Sequence, residues 1–237
     1  MPSICMKPIG GTRMRVTKLD SCGAPVVGGS SCFVVSSGFV SVERTAEYED
    51  PVEIVVLNGN GDICLKDRRP PQFKWMTFNI TFCEVDPEVY NLITGSPIVL
   101  NDATPTPSAV GWRTREGPAG VGSTHFALEV WTRLAQEPCS ATNQPYGYYL
   151  APWVSEGVPG DVTFGDGGSA VSFSMTQAKT NPGSPWGTGP ATYLVRRDAM
   201  TGTPEVLLTA ITSTDHDHFE RVTVAPPTAL CGCQALA

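Results

Sequence analysis

The sequence predicts a mainly β protein, an antiparallel β-sandwich or barrel of about ten strands with one short flanking α-helix and extended loops or arms. Three observations predict it. Glycine and proline are dense, 24 and 21 of 237 residues, and both break chains into short elements joined by turns. Several windows alternate apolar and polar side chains, the period-2 mark of a half-buried strand. Only one stretch carries a full set of helix start and stop signals.

Taken in order, Thr12 to Leu19 sets Met14 and Val16 against Arg13 and Arg15, a strand pattern. Cys32 to Val42 and Val52 to Leu57 are rich in β-branched and aromatic residues. Asn58 to Asp62 reads NGNGD, a turn signal that joins Val52–Leu57 to a returning strand at Ile63–Lys66. The clearest strand is FKWMTFNITFCEV, with Met76, Phe78, Ile80 and Phe82 on one face. DPEVYNLITGSP follows. Asp86 caps the free amides of a helix start, Pro87 fits its first position and Glu88 favours its positive end. Val89, Leu92 and Ile93 form an apolar stripe, and Gly95 and Pro97 stop the helix. It is expected to lie on the sheet made by the preceding strand.

Residues 101–122 show no apolar period and read as a long insertion loop, either an assembly arm or a mobile surface loop. HFALEVWTRLAQE fits both periods, and the β-rich surroundings favour a strand. GYYLAPWV, Ala170 to Gln177, ATYLVRR, PEVLLTAITST and FERVTVA complete the strand set. Turns are expected at EGVPGD, DAMTG and DHDH, and a loop at NPGSPWGTGP. Residues 226–237 read as a C-terminal arm. No repeat or linker divides the chain, so residues 1–237 form one domain.

Composition narrows the function. Charged residues are 16% of the chain, against roughly 25% in typical domains. A surface so poor in charge is expected to be covered, and other subunits are the simplest cover. The net charge is −7, which repels phosphate backbones and anionic lipids. No apolar run reaches about 18 residues, so no membrane span is expected. The opening MPSICMKPIGG lacks the pattern of a signal peptide, which points to synthesis in a reducing cytoplasm. The eight cysteines are then expected to be mainly small buried thiols, with late oxidation open to them.

Catalytic patterns are weak. DHDHFE would place His216, His218 and Glu220 on one strand face, where a metal would fit, but it sits between two β runs and reads as a solvated turn. There is no nucleophile elbow and no phosphate-binding glycine loop opening a helix. No enzyme activity, metal or cofactor is expected. Trp112, Trp153 and Trp186 fall in apparent loops, as contacts between subunits or as platforms for sugars.

The order of these pieces carries a resemblance. FKWMTFNITFCEVDPEVYNLITGSP runs a long strand into a capped short helix, and an irregular insertion follows. Then come HFALEVWTRL, YYLAPWV, VTFGDGGSAVSFSMTQAKTNPGSPWGTGPATYLV and a terminal meander. This resembles the major tail tube proteins of long-tailed phages, especially those infecting actinobacteria, over roughly residues 10 to 225. The resemblance implies a β-sandwich flanked by a helix, and hexameric rings stacked into a hollow tube in the virion tail. It implies a tape-measure protein inside, tail terminator and tail tip proteins at the ends, assembly in the host cytoplasm, and DNA passing through without specific binding. It implies no catalytic residue. Trp112, Arg113 and Arg115 are the expected contacts between rings, with Glu47, Glu49 and Asp50 of a neighbour as acidic counterparts. The competing readings are another β-rich virion part (capsid decoration or tail terminator) and a carbohydrate-binding β-sandwich.

Overall fold

A computed structural model describes residues 5–116, 124–135, 144–164, 171–183, 186–187, 196–197 and 204–236. The strands are β1 (Pro8–Lys18), β2 (Phe33–Ser36), β3 (Phe39–Tyr48), β4 (Val52–Leu57), β5 (Ile63–Arg69), β6 (Phe73–Phe82), β7 (Ile98–Leu100) and β8 (Ala109–Trp112). After them come β9 (His125–Leu134), β10 (Tyr146–Ser155), β11 (Val158–Thr163), β12 (Ser172–Thr180), β13 (Arg196–Arg197), β14 (Pro204–Glu205), β15 (His218–Val222) and β16 (Leu230–Gln234). The helix α1 spans Pro87–Thr94.

Ten strands form one antiparallel sheet in the order β16-β2-β1-β9-β10-β12-β6-β3, with β11 on β12 and β15 on β10. The path ends at β16 and β3 without closing, so this is a sandwich and not a barrel. The fold in the sheet lies where β10 meets β12. The two pair only at Val154–Thr180 and Ser155–Lys179 before they part. Two layers result, one of β16, β2, β1, β9, β10 and β15, the other of β3, β6, β12 and β11.

Period 2 decides what each layer buries. Met14 and Val16 of β1, with Phe126, Leu128 and Val130 of β9, face the other layer and meet Phe78 and Ile80 of β6 in the main core. The other face of β1 and β9 is buried too. Ala127, Trp131, Tyr148 and Leu150 are covered by Trp186, Leu207, Ile211 and Leu236. Arg15 and Glu129 stand opposite each other within this second core. Their side chains pair twice, at 2.5 and 2.6 Å, and the Tyr148 hydroxyl donates to Glu129 at 2.7 Å. A wholly buried carboxylate needs such partners.

The helix starts and stops as its residues dictate. Asp86 accepts from the Glu88 amide at 2.8 Å, and Gly95 takes the left-handed conformation at φ 71°. A Cβ would strain that position, so glycine fits it best. The helix lies, as expected, against the sheet to which the preceding strand β6 belongs. It packs against β1, β9 and β12, and Val89, Tyr90, Leu92 and Ile93 fill the end of the sandwich.

Several expectations change. Part of 101–122 is strand: Ala109–Trp112 pairs with Ile98–Leu100, because Ile98 and Val99 offer a short β partner. Residues 117–122 lie outside the described residues. The EGVPGD turn shrinks to its start, with Glu156 at φ 64°, and β11 begins at Val158. In PEVLLTAITST only Pro204–Glu205 is strand. The chain then crosses the second core, where Leu207 and Ile211 sink in one by one. The C-terminal arm holds a strand: β16 seats on β2, and Cys233 is disulfide-bonded to Cys32. The cysteines are not buried thiols, since Cys5, Cys22, Cys64, Cys83 and Cys231 are exposed. Cys139, the DAMTG turn and most of ATYLVRR lie outside the described residues.

Candidate assembly surface

The segment from β3 to β6 builds the feature most unlike the rest. β3 pairs with β6 from Phe39–Phe82 out to Tyr48–Phe73. The Glu49 amide then donates to the Gln72 carbonyl at 2.8 Å, and β4 pairs with β5 beyond it. At the tip Asn58 accepts from the amides of Asn60 and Asp62 at 3.0 and 2.9 Å, and Gly61 sits at φ 87°. A side-chain oxygen closing its own turn is what NGNGD supplies. The result is one long arm. At about 3.3 Å per residue its contour runs roughly 30 Å past Tyr48.

No residue of β4 or β5 is buried. Directly opposed residues share a face, so the register assigns the sides. Val52, Ile54, Val56 and Leu65 share one face. Val55, Leu57 and Ile63 share the other, with a Glu53–Lys66 ion pair at 2.8 Å. Val52, Val55, Val56, Leu57, Ile63 and Leu65 are each 46–61% exposed. The strands continue the ladder, but among the described residues no layer lies over either face.

The arm's root is fixed to the body. The Met76 amide donates to Thr180 Oγ1 at 2.9 Å, and Thr180 Oγ1 lies 2.8 Å from His216 Nδ1. The His216 ring meets the edge of Phe73 at 4.8 Å. Burial holds the His216 imidazole below its ordinary value, which favours the neutral ring with one donor and one acceptor nitrogen. Arg44 pairs with Asp217 beside a groove of about 380 Å³ lined by Val42, Phe78, Val130, Tyr149 and Phe219. Burial, helped by the Asp217 charge, pushes the Tyr149 hydroxyl well above the usual phenol range.

The sequence-named contact residues divide. Trp112 ends β8 and stacks on Tyr90 at 4.3 Å, with the Phe173 edge at 5.4 Å. It holds the helix to the sandwich. Arg113 and Arg115 are exposed, as are Glu47, Glu49 and Asp50 around the junction of β3 and β4. The structure does not bring these two groups together within one chain, and none of the five makes an ion pair among the described residues. Trp153 is half-buried and donates to His125 Nδ1 at 3.1 Å, and Trp186 is buried. Neither offers an open ring to a sugar. His218 sits 3.0 Å from Glu220, whereas His216 turns to Thr180. Among the described residues no three His, Cys, Asp or Glu gather to hold a metal ion.

The exposed tip was missed by sequence reasoning, because VEIVVL has the two-sided apolar pattern of a buried strand. The signal available was the run Lys66-Asp67-Arg68-Arg69, which returns charge to the arm's base. No family model matches the chain, and no curated protein is similar to it.

Proposed function

We propose that the chain is a structural subunit of a phage tail, whose copies close into rings, hexameric in the tail tube family it resembles, that stack into a hollow tube. The observation that carries this reading is the arm with apolar side chains on both faces and no cover among the described residues. A lone two-stranded hairpin is marginal in water, and an exposed apolar sheet is a template for another chain. Identical neighbours supply the missing layers. β3 adds a second feature, a ten-residue edge strand with nothing paired outside it among the described residues. The low charge content fits a surface shared between copies. The net charge of −7 fits a conduit that DNA and a tape-measure protein traverse without adhesion. Arg113 and Arg115 remain the proposed partners of Glu47, Glu49 and Asp50 across stacked rings, and no residue is assigned a catalytic role.

The test is negative-stain microscopy of the purified full chain with light scattering over rising concentration. Rings and tubes are expected. A chain that stays monomeric at the highest concentration would overturn the proposal. Arg115→Glu is expected to shorten tubes, and full-length tubes from that variant would remove the assigned contact.

A further inference from the structure

Residues 225–233 border open space along their whole length. An open cleft of about 330 Å³ lies between Ala225–Thr228 and Thr12, Arg13, Arg133 and Tyr146. A larger one, about 690 Å³, lies between Ala229–Cys233 and Ser36, Asp86 and Glu88. The ladder is thin as well. Leu230 is opposite Val35 and Gln234 opposite Phe33, with an irregularity between them. Three anchors hold the strand. The Gly232 amide, at φ 85°, donates to Asp86 Oδ2 at 2.5 Å. The Leu236 amide donates to Ser31 Oγ at 3.0 Å, with the Leu236 side chain buried. The third is the Cys32–Cys233 disulfide, which alone is covalent. The connection from β15 runs through Pro226 and Pro227, which hold an extended, stiff backbone.

We propose that β16 is an exchangeable strand latched by Cys32–Cys233: with both thiols reduced it leaves its own β2 and takes the identical seat on a second copy, and oxidation fixes whichever seat it holds. The occupant follows from identity. Every contact β16 makes with its own chain is remade by the same residues of another copy, so the exchange needs no new interface. The proposal rests on the assembly reading only for keeping copies close together. The chemistry is thiol–disulfide exchange with a disulfide of the glutathione class. The exposed Cys233 thiolate attacks one glutathione sulfur and expels one glutathione thiolate. The Cys32 thiolate, 5% exposed, then attacks Cys233 Sγ and expels the second. Two protein thiols lose two electrons and two protons, and one glutathione disulfide becomes two thiols.

Two full-length variants, Cys32→Ser and Cys233→Ser, test this. Neither can form the bond alone. They are mixed under reductant and then oxidised with glutathione disulfide. Expected is a covalent heterodimer whose linked peptides carry Cys32 of one chain and Cys233 of the other. No linked peptide, under conditions where wild type regains its internal bond, overturns the exchange. In wild type, reduction is expected to speed amide exchange across Phe33–Ser36 and Leu230–Gln234 by about tenfold or more. Unchanged exchange overturns the latch. Microscopy of the same samples separates the two readings. Rings without linked peptides overturn the exchange alone, and linked peptides without rings support it while overturning the tube.

Discussion

Strand β9 and arm strand β4 are written in the same language. FALEVW and VEIVVL each put apolar side chains on both faces around one glutamate. In β9 both faces are covered, and Glu129 is fully buried between Arg15 and Tyr148. In β4 neither face is covered among the described residues, and Glu53 meets Lys66 at the exposed surface. A two-sided apolar strand asks for two layers. The body of this protein supplies them to β9 from its own chain. It supplies none to β4 among the described residues, and in the proposed assembly a neighbouring copy would meet that demand.

Removing each glutamate sharpens the contrast most. Glu129→Ala leaves the Arg15 guanidinium buried without its counter-ion, and urea unfolding is expected to show a loss of about 3–5 kcal/mol. Glu53→Ala is expected to change stability by less than about 0.5 kcal/mol, since exposed pairs contribute little. Equal losses at the two sites would erase the distinction. Next in size, Trp112→Ala opens the contact between β8, Tyr90 and Phe173 and is expected to cost about 2–3 kcal/mol. A neutral result would mean that Trp112 acts outside its own chain after all.

A smaller effect is expected at the arm's root. His216 titrates below its usual 6.5 in the folded chain because burial disfavours the cation. As pH falls past about 6.5, the unfolded chain takes up the proton first. The His216 contribution is therefore complete above that pH and is lost as pH drops through the lower folded value. Thermal melts from pH 7 to 5 are expected to fall more steeply in wild type than in His216→Gln, and parallel curves would refute the linkage. Smallest in stability is Val56→Lys with Leu65→Lys, both on one arm face. The fold is expected to change by no more than about 0.5 kcal/mol, yet rings and tubes should vanish. Normal tubes from this variant would show that the arm's apolar face is not an interface.

Much of this fold was legible from local chemistry. The β6 alternation, the Asp86 cap, the Gly95 stop and the Asn58–Asp62 turn are all decided within a few residues, and all formed as read. The ambiguous β9 was resolved by its surroundings. Features set by distant partners were not legible. AVGW and LCGCQ are too short to show a period, and each is strand only because another segment lies beside it. Trp112 and Trp186 looked like open rings because local sequence carries no record of Tyr90 or of the second core. The pairing of Cys32 with Cys233 spans 201 positions and has no local trace. Of the named contact residues, Arg113 and Arg115 are exposed and Trp112 is half-buried against Tyr90. The arm itself was legible as a hairpin but not as an exposed one.

The bond between Cys32 and Cys233 also makes most of the polypeptide a closed circle. A protease that nicks any peptide bond inside that circle opens the chain without releasing a fragment. Singly clipped and intact protein would weigh nearly the same until a reductant is added, so the first cut leaves no missing piece.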